Sequence, residues 1–330
     1  MKQYLTSKWI IISLSVLVLL FYIIAVYWSF EPDQFDPRQT AYQQLPDSGT
    51  KPVPGFILTS TLIKVSETLL DKRGGYLSND VLPPGVLMDN IPSWEFGALE
   101  MIRDLSLSMR RDFSRSQSQS RENAELVKAQ PKFNIDHRGW LLPSAESQYQ
   151  EGIDALIRYR QELLNTADNS AQFYTRADNL RDWLKQVEKR LGSLSQRLSA
   201  SVGQESINTD LAGDNAAKQS SPSRDREYLK TSWWDLDNVF YESRGACWAL
   251  LHFLKAVEVE FADALEKKNA LVSLRQIIRD LEATQQTVWS PMILNGSGFG
   301  TMANHSLVMA NYISRANAAL IDLTELLMQG

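Results

Sequence analysis

Trp9 to Phe30, WIIISLSVLVLLFYIIAVYWSF, runs from Lys8 to Glu31 without a charge, a proline or a glycine. At about 22 residues, a helix over this stretch crosses a hydrocarbon core about 30 Å thick. Each Leu, Ile, Val or Phe favours insertion by about 0.3–0.6 kcal/mol, a sum that Ser13 and Ser15 do not cancel. Trp9 at one end and Tyr27 and Trp28 at the other are rings of the kind that settle at the two membrane–water interfaces. One segment is therefore set for lipid, and the rest of the chain must fold on one side of it.

Lys2, Lys8 and the N-terminal amine precede the run, and Glu31, Asp33 and Asp36 follow it. The bias of positive charge toward the cytoplasm predicts a cytoplasmic tail over 1–8, a transmembrane helix over 9–30, and export of everything beyond. A cleavable signal peptide has a shorter apolar core and small residues at the cut, whereas Ala25-Val26-Tyr27 puts a ring there. An uncleaved anchor is expected.

The exported part, about 300 residues, suffices for one large domain or two small ones. With 44% hydrophobic and 22% charged residues and a net charge of −5, the balance is globular and argues against non-specific nucleic-acid binding. Cys247 is the one cysteine, which excludes an intramolecular disulfide and leaves stability to core packing.

Residues 31–55 carry Pro32, Pro37, Pro46, Pro52 and Pro54. Proline fixes its own φ and lacks a donor, so an extended spacer is expected, with a segment lying on the domain surface as the other reading. From Phe56 a helical region runs to 202. Leu58, Leu62, Val65 and Leu69 recur at helical spacing, and Lys72-Arg73-Gly74-Gly75 is a C-terminal stop. Ser93 reads as the N-cap of a helix with Ala98, Ile102, Leu105, Met109 and Phe113 on its apolar stripe, and Pro131 as the end of that run. A second "basic residue, Gly, aromatic, then Pro-Ser-x-Glu" appears at Arg138-Gly139-Trp140 and Pro143-Ser144-Ala145-Glu146. Phe173, Ala177, Leu180, Leu184, Val187, Leu191, Leu194 and Leu198 alternate steps of four and three, a coiled-coil-like seam over 173–198. A helix of the same chain or a second copy must cover it.

Residues 203–226 are small and polar and read as a flexible linker. Region 227–330, expected to pack on the first, opens with SWWDLDNVFYESRGACWALLHFLKAVEVEFADAL, apolar on both faces and so a central core helix. A further helix follows Asn269 and stops near Pro291, and a last one spans about Ala303 to Met328. No alternating run long enough for a strand appears. The fold class is all-α, a transmembrane helix followed by a helical bundle.

LLDKRGGYLSNDVLPPGVLMDNIPSWEFGALEMIRDLS, KFNIDHRGWLLPS and the aromatic stretch from Trp233 resemble a family of uncharacterised single-pass inner-membrane proteins of Gram-negative bacteria, known as a domain of unknown function. The resemblance implies an inner-membrane anchor with a periplasmic helical domain. It carries no catalytic or binding residue.

Chemistry in the sequence is sparse. His137, His252 and His305 lie far apart with no second ligand at helical spacing, and no HExxH, CxxC or carboxylate cluster occurs, so neither a metal nor a cofactor is expected. His252, among Leu251, Phe253 and Leu254, reads as a satisfied core histidine. Asp237, Arg244 and Glu258 share one stripe of the aromatic helix and are expected to form a buried polar network or a ligand site. Gly296, Gly298 and Gly300, ahead of the last helix, form a possible anion site or a plain interhelical turn. No catalytic residue is assigned, although Glu100 or Asp104 would serve as a general acid if the domain acted on a periplasmic polymer. Arg103, Arg110, Arg111 and Arg115 read as a solvated face or a contact for anionic headgroups. The expected partners are the lipid bilayer and other envelope proteins or a second copy, without nucleic acid. A non-enzymatic envelope scaffold, assembly or regulatory factor is the leading reading. A ligand-sensing or peptidoglycan-acting domain is the alternative.

Overall fold

The computed structural model describes residues 2–46, 51–116, 121–165, 171–207, 226–290, 292–297 and 300–329. Among them are eleven α-helices: α1 (Lys2–Trp28), α2 (Pro37–Gln43), α3 (Phe56–Asp71), α4 (Asn90–Ser108), α5 (Ala124–Phe133), α6 (Ala145–Leu164), α7 (Ala177–Ser199), α8 (Leu236–Glu260), α9 (Ala262–Lys267), α10 (Leu271–Thr284) and α11 (His305–Met328). The protein is all-α, and α1 is long and apolar enough over Lys8–Trp28 to cross a membrane, with none of that window buried. A single antiparallel ribbon departs from the expectation of no strand: Gln204–Ile207 (β1) pairs with Arg226–Leu229 (β2). Strands of four residues are too short to register a period of two in the sequence. The expected linker therefore starts and ends in paired backbone, and its residues 208–225 lie outside the described ones.

The long helices run between two ends of one bundle. α3 starts where Glu260 reaches it and ends beside Trp28 of α1. α4 and α8 both run the opposite way: Trp94 meets Gly245 near their beginnings, and Phe113 meets Phe261 beyond their ends. The end that carries Trp28, the loop 72–89, the turn 134–144, the start of α8, and residues 285–290 and 300–304 is the proximal end. The end that carries Gly55, Phe113, Phe173 and Phe261 is distal.

α4 and α8 approach closely because glycine allows it. A Cβ at Gly97 would stand 1.9 Å from the Glu242 carbonyl oxygen, and one at Gly245 would stand 1.9 Å from that of Trp94. With backbones this near, the buried Trp94 and Trp248 rings pack at 5.1 Å beside the interface. The seam on α7 is covered by α11 of the same chain: Ser195 bonds Ser314 at 2.5 Å, and Leu180, Leu184, Val187, Leu191, Leu194 and Leu198 are all buried. Phe173 lies ahead of the helix, not on it, and fills the distal core with Phe113 and Phe261.

Helix boundaries shift in ways that local chemistry explains. α4 begins at Asn90, so Ser93 sits inside the first turn, where its hydroxyl donates to the Asp89 carbonyl and does not cap. α5 starts at an Asn123 cap, and it continues two residues past Pro131. Ser144 does cap α6, and α10 ends at Thr284, ahead of Val288. The two Gly–aromatic turns pack on one another: Tyr76 donates to the His137 carbonyl at 3.0 Å and the Asn79 amide to that of Gly139 at 3.0 Å.

Candidate functional site

Past Trp28 the chain does not stretch away as a spacer; it lies on the bundle. Glu31 grips Arg244 of α8 with both carboxylate oxygens, Oε1 at 2.7 Å from Nε and Oε2 at 2.6 Å from Nη2. The remaining guanidinium nitrogen, Nη1, donates to the carbonyls of Thr284 at 3.0 Å and Gln286 at 2.7 Å, at the end of α10. All three nitrogens are engaged, and the planar fork suits this bidentate geometry as a lysine would not. Arg244 is 6% exposed. One side chain thus ties together the segment after α1, the central helix and α10.

Four residues on, Phe35 stacks against His252 with ring centres 4.1 Å apart and meets Trp248 edge-on. Asp36 then caps α2, accepting from the Arg38 N–H at 2.8 Å, and Ala41 is buried against the core. Five prolines suggested extension, but Phe35 and Ala41 supply the apolar surface that pulls the segment down.

The helix α1 itself is seated at its last turn. Gly74, at φ 84°, takes the face of Trp28 where a Cβ would come within 2.7 Å of the ring. The Arg73 guanidinium lies over Tyr27 at 5.6 Å and Phe30 at 5.1 Å. Behind this contact is a fully buried pair, Lys72 with Glu95. Glu95 also accepts the N–H groups of Leu77 at 2.9 Å and Ser78 at 2.8 Å. Burial pushes its carboxyl up, opposed by the Lys72 ammonium and these donors.

Next to the Glu31–Arg244 clamp is a cleft of about 340 Å³ between α8, the segment after α10 and the start of α11. Phe240, Arg244, Val288, Trp289, His305 and Tyr312 line it. His305 is spoken for on one side, its Nδ1 accepting from the Leu294 N–H at 3.1 Å. The lining is mostly apolar with a few polar groups, the make-up of a small-molecule pocket.

The structure does not bring Asp237, Arg244 and Glu258 together. Asp237 lies near Asp89, and burial first, then Asp89, raise its carboxyl. Glu258 pairs with Arg275 of α10 at 2.7 Å on the surface. The carboxylate that answers Arg244 comes from the far end of the sequence, which no spacing on α8 reveals. Around the glycines, the Gly296 N–H donates to the Ala303 carbonyl at 2.9 Å and Met302 leaves no room for a Cβ there. Gly300 lies against Ser297, and Gly298 falls outside the described residues. The Gly296 amide is thus committed to a turn, and α11 begins at His305, later than expected. Glu100 and Asp104 are held by Arg190 at 2.7 Å and 3.0 Å, and Glu100 by Arg103 as well. Arg110 pairs with Glu122 at 2.8 Å. His252 is buried and bonded through both ring nitrogens, as its neighbours suggested.

These contacts define a class: an α-helical bundle joined without slack to one N-terminal helix capable of crossing a membrane. The chain belongs to a family described as uncharacterized protein conserved in bacteria, DUF2333, whose model matches residues 2–330. No curated protein and no solved structure matches the chain.

Proposed function

We propose that this is a single-pass inner-membrane protein that holds its helical bundle on the periplasmic side as a non-enzymatic scaffold, assembly or regulatory factor for other envelope proteins or a second copy. Lys2 and Lys8 before the span and Glu31, Asp33 and Asp36 after it favour that orientation. The observation that carries the reading is the Glu31–Arg244 clamp. A domain fixed to its anchor at a buried ion pair is built to hold a set place relative to the membrane, which is what a scaffold needs and a diffusing hydrolase does not.

The test pairs topology with neighbours. Phosphatase and fluorescent-protein fusions at Gly330 report the side of the membrane, with phosphatase activity expected. Photo-crosslinkers placed across the bundle in living cells should trap the same envelope proteins, or the chain itself, from one face. Cytosolic fluorescence, or crosslinks scattered without a preferred face, would overturn it.

The cleft beside Arg244 favours ligand sensing as a second reading, because an occupant would touch the residue that fixes Glu31. A compound bound there should change protease access to residues 29–46. A peptidoglycan-acting role draws less support, since Glu100 and Asp104 are both taken up by arginines.

A further inference from the structure

Of the nine tryptophans, Trp94, Trp183 and Trp248 are core residues, and Trp9 and Trp28 belong to α1. The other four, Trp140, Trp233, Trp234 and Trp289, are 57% to 92% exposed. They come from three separate parts of the chain, and all three parts lie at the proximal end. Trp140 follows Gly139, whose carbonyl accepts from Asn79 in the loop after α3. Trp233 and Trp234 precede the first turn of α8, where Asn238 meets Ser93 at 3.3 Å. Trp289 is just beyond Gln286, which Arg244 holds. Leu87 and Leu142, 79% and 96% exposed, extend the same rim. Among the described residues the distal end exposes Val272 and Met328 but no tryptophan.

This is the end from which α1 departs. Trp28 sits on Gly74 and Glu31 on Arg244, so only Ser29 and Phe30 lie between the end of α1 and the clamp, three steps or at most about 10 Å of chain. The span window has no buried residue, so α1 leaves the body and does not lie along it. Any bilayer that holds α1 therefore begins within that distance of the proximal loops. Indole rings with an apolar body and one N–H donor are suited to the headgroup layer, where both parts are satisfied. Left in water, so many large rings on one face would be an aggregation liability.

We infer that the proximal loops form a membrane-seating face: Trp140 and Leu142, Trp233 and Trp234, and Trp289 insert into the lipid headgroup region around the exit of α1, so that the bundle stands upright on the bilayer. The inference rests on the reading of α1 as a span. It assigns the occupant as lipid, not protein, because the rings surround the chain's own entry into the membrane. The bundle is then held by two independent devices, the clamp that ties it to α1 and the rings that seat it. Such rings sit at the level of the headgroups.

Spin labels on single cysteines in the full-length chain test this in protein-free vesicles of phosphatidylethanolamine and phosphatidylglycerol. Cys247 is fully buried with its thiol pushed up to about 12, and takes no label. Leu142→Cys, Leu87→Cys and Trp234→Cys probe the face, Val272→Cys the distal end and Leu17→Cys the span. All but the span site are exposed on the folded body, and three probes of the face keep the result readable if one variant misfolds. The ratio of oxygen to nickel-chelate accessibility should be severalfold higher at the face than at Val272, and highest at Leu17. Face labels as water-accessible as Val272, with Leu17 in lipid, overturn the seating while the anchor stands. A water-accessible Leu17 overturns the anchor itself and the seating with it. Face labels open to water in vesicles but shielded from both reagents in native membranes would assign the surface to a protein partner and overturn the lipid assignment.

Discussion

The backbone N–H of Phe35 donates to Nε2 of His252 across 3.0 Å, while Nδ1 of the same ring faces the Trp248 carbonyl at 2.7 Å. A carbonyl only accepts, so the proton sits on Nδ1 and the neutral ring is satisfied on both sides. Protonating Nε2 would set two donors against each other in a buried site. Burial, then the nearby Lys255, push this histidine down to about 4. Between pH 6.5 and about 4 the unfolded chain takes a proton that the folded chain refuses, so stability falls as pH falls through that window. The loss reaches on the order of 3 kcal/mol by pH 4. Denaturant unfolding of the full-length protein in detergent at pH 7 and pH 4.5 should show it, as a pH dependence that shrinks in His252→Gln. Identical pH profiles in the two proteins would remove His252 from the account.

Removing Arg244 should cost more than removing its partner. Arg244→Met strips two carbonyls and a half-buried carboxylate of their donors at once, a loss of about 3–5 kcal/mol. Glu31→Gln keeps an acceptor for the guanidinium and should cost about 1–2 kcal/mol less. Limited proteolysis provides a second reading: cleavage within residues 29–46 should quicken in Arg244→Met before the bundle unfolds. Equal stability of both variants and the parent would mean that the clamp is ornamental.

Two glycines on facing helices are required by close backbone approach, and a third, on α7, is not. Gly97→Ala or Gly245→Ala would press a methyl into a backbone carbonyl 1.9 Å away, which neither helix can evade without moving apart. A loss of about 1–3 kcal/mol or more follows from such overpacking. At Gly192 the nearest atom to an added Cβ is Asn317 Nδ2 at 3.7 Å, ordinary contact. Gly192→Ala should therefore stabilise α7 by up to about 1 kcal/mol through helix propensity. Thermal midpoints of the three variants, measured together, decide it.

The same contrast shows what the sequence could and could not disclose. Periodicity located the apolar face of α3, of α7 and of the long aromatic helix, because each buries a stripe whose spacing is local. The long apolar run of α1 was legible because its composition is local too. Gly245, inside SRGAC, had no visible purpose, since its neighbour is a backbone on another helix. Glu31 looked like an acid trailing the apolar run, and nothing in the proline-rich stretch singled out Phe35. Their partners lie 213 and 217 residues away, and no pattern within one segment encodes such a pairing. The stripe of Asp237, Arg244 and Glu258 misled for the complementary reason: shared helical phase brings side chains to one face, but neighbours across the interface choose which charges meet.

Glu260 tests whether a buried acceptor or a buried charge is what the distal end requires. Gly55 begins α3 in a left-handed conformation with no capping side chain of its own. Glu260 reaches across from the end of α8 and accepts the N–H groups of Gly55 at 2.6 Å, Ile57 at 3.0 Å and Leu58 at 3.2 Å. Burial raises its carboxyl, and these three donors oppose the rise. With the folded value above the unfolded one, the folded chain binds the proton more tightly, so this group's contribution to stability falls as pH rises through the interval between the two values. Ionisation is thus tolerated, not demanded. Glu260→Gln keeps one acceptor oxygen but turns an amide donor on either the Gly55 N–H or those of Ile57 and Leu58, and should cost about 1–2 kcal/mol at pH 7, whereas Glu260→Ala orphans all three N–H groups and should cost about 2–4 kcal/mol. If the glutamine variant lost as much as the alanine variant, the negative charge facing the α3 dipole would be the stabilising element, and the acceptor account would fail.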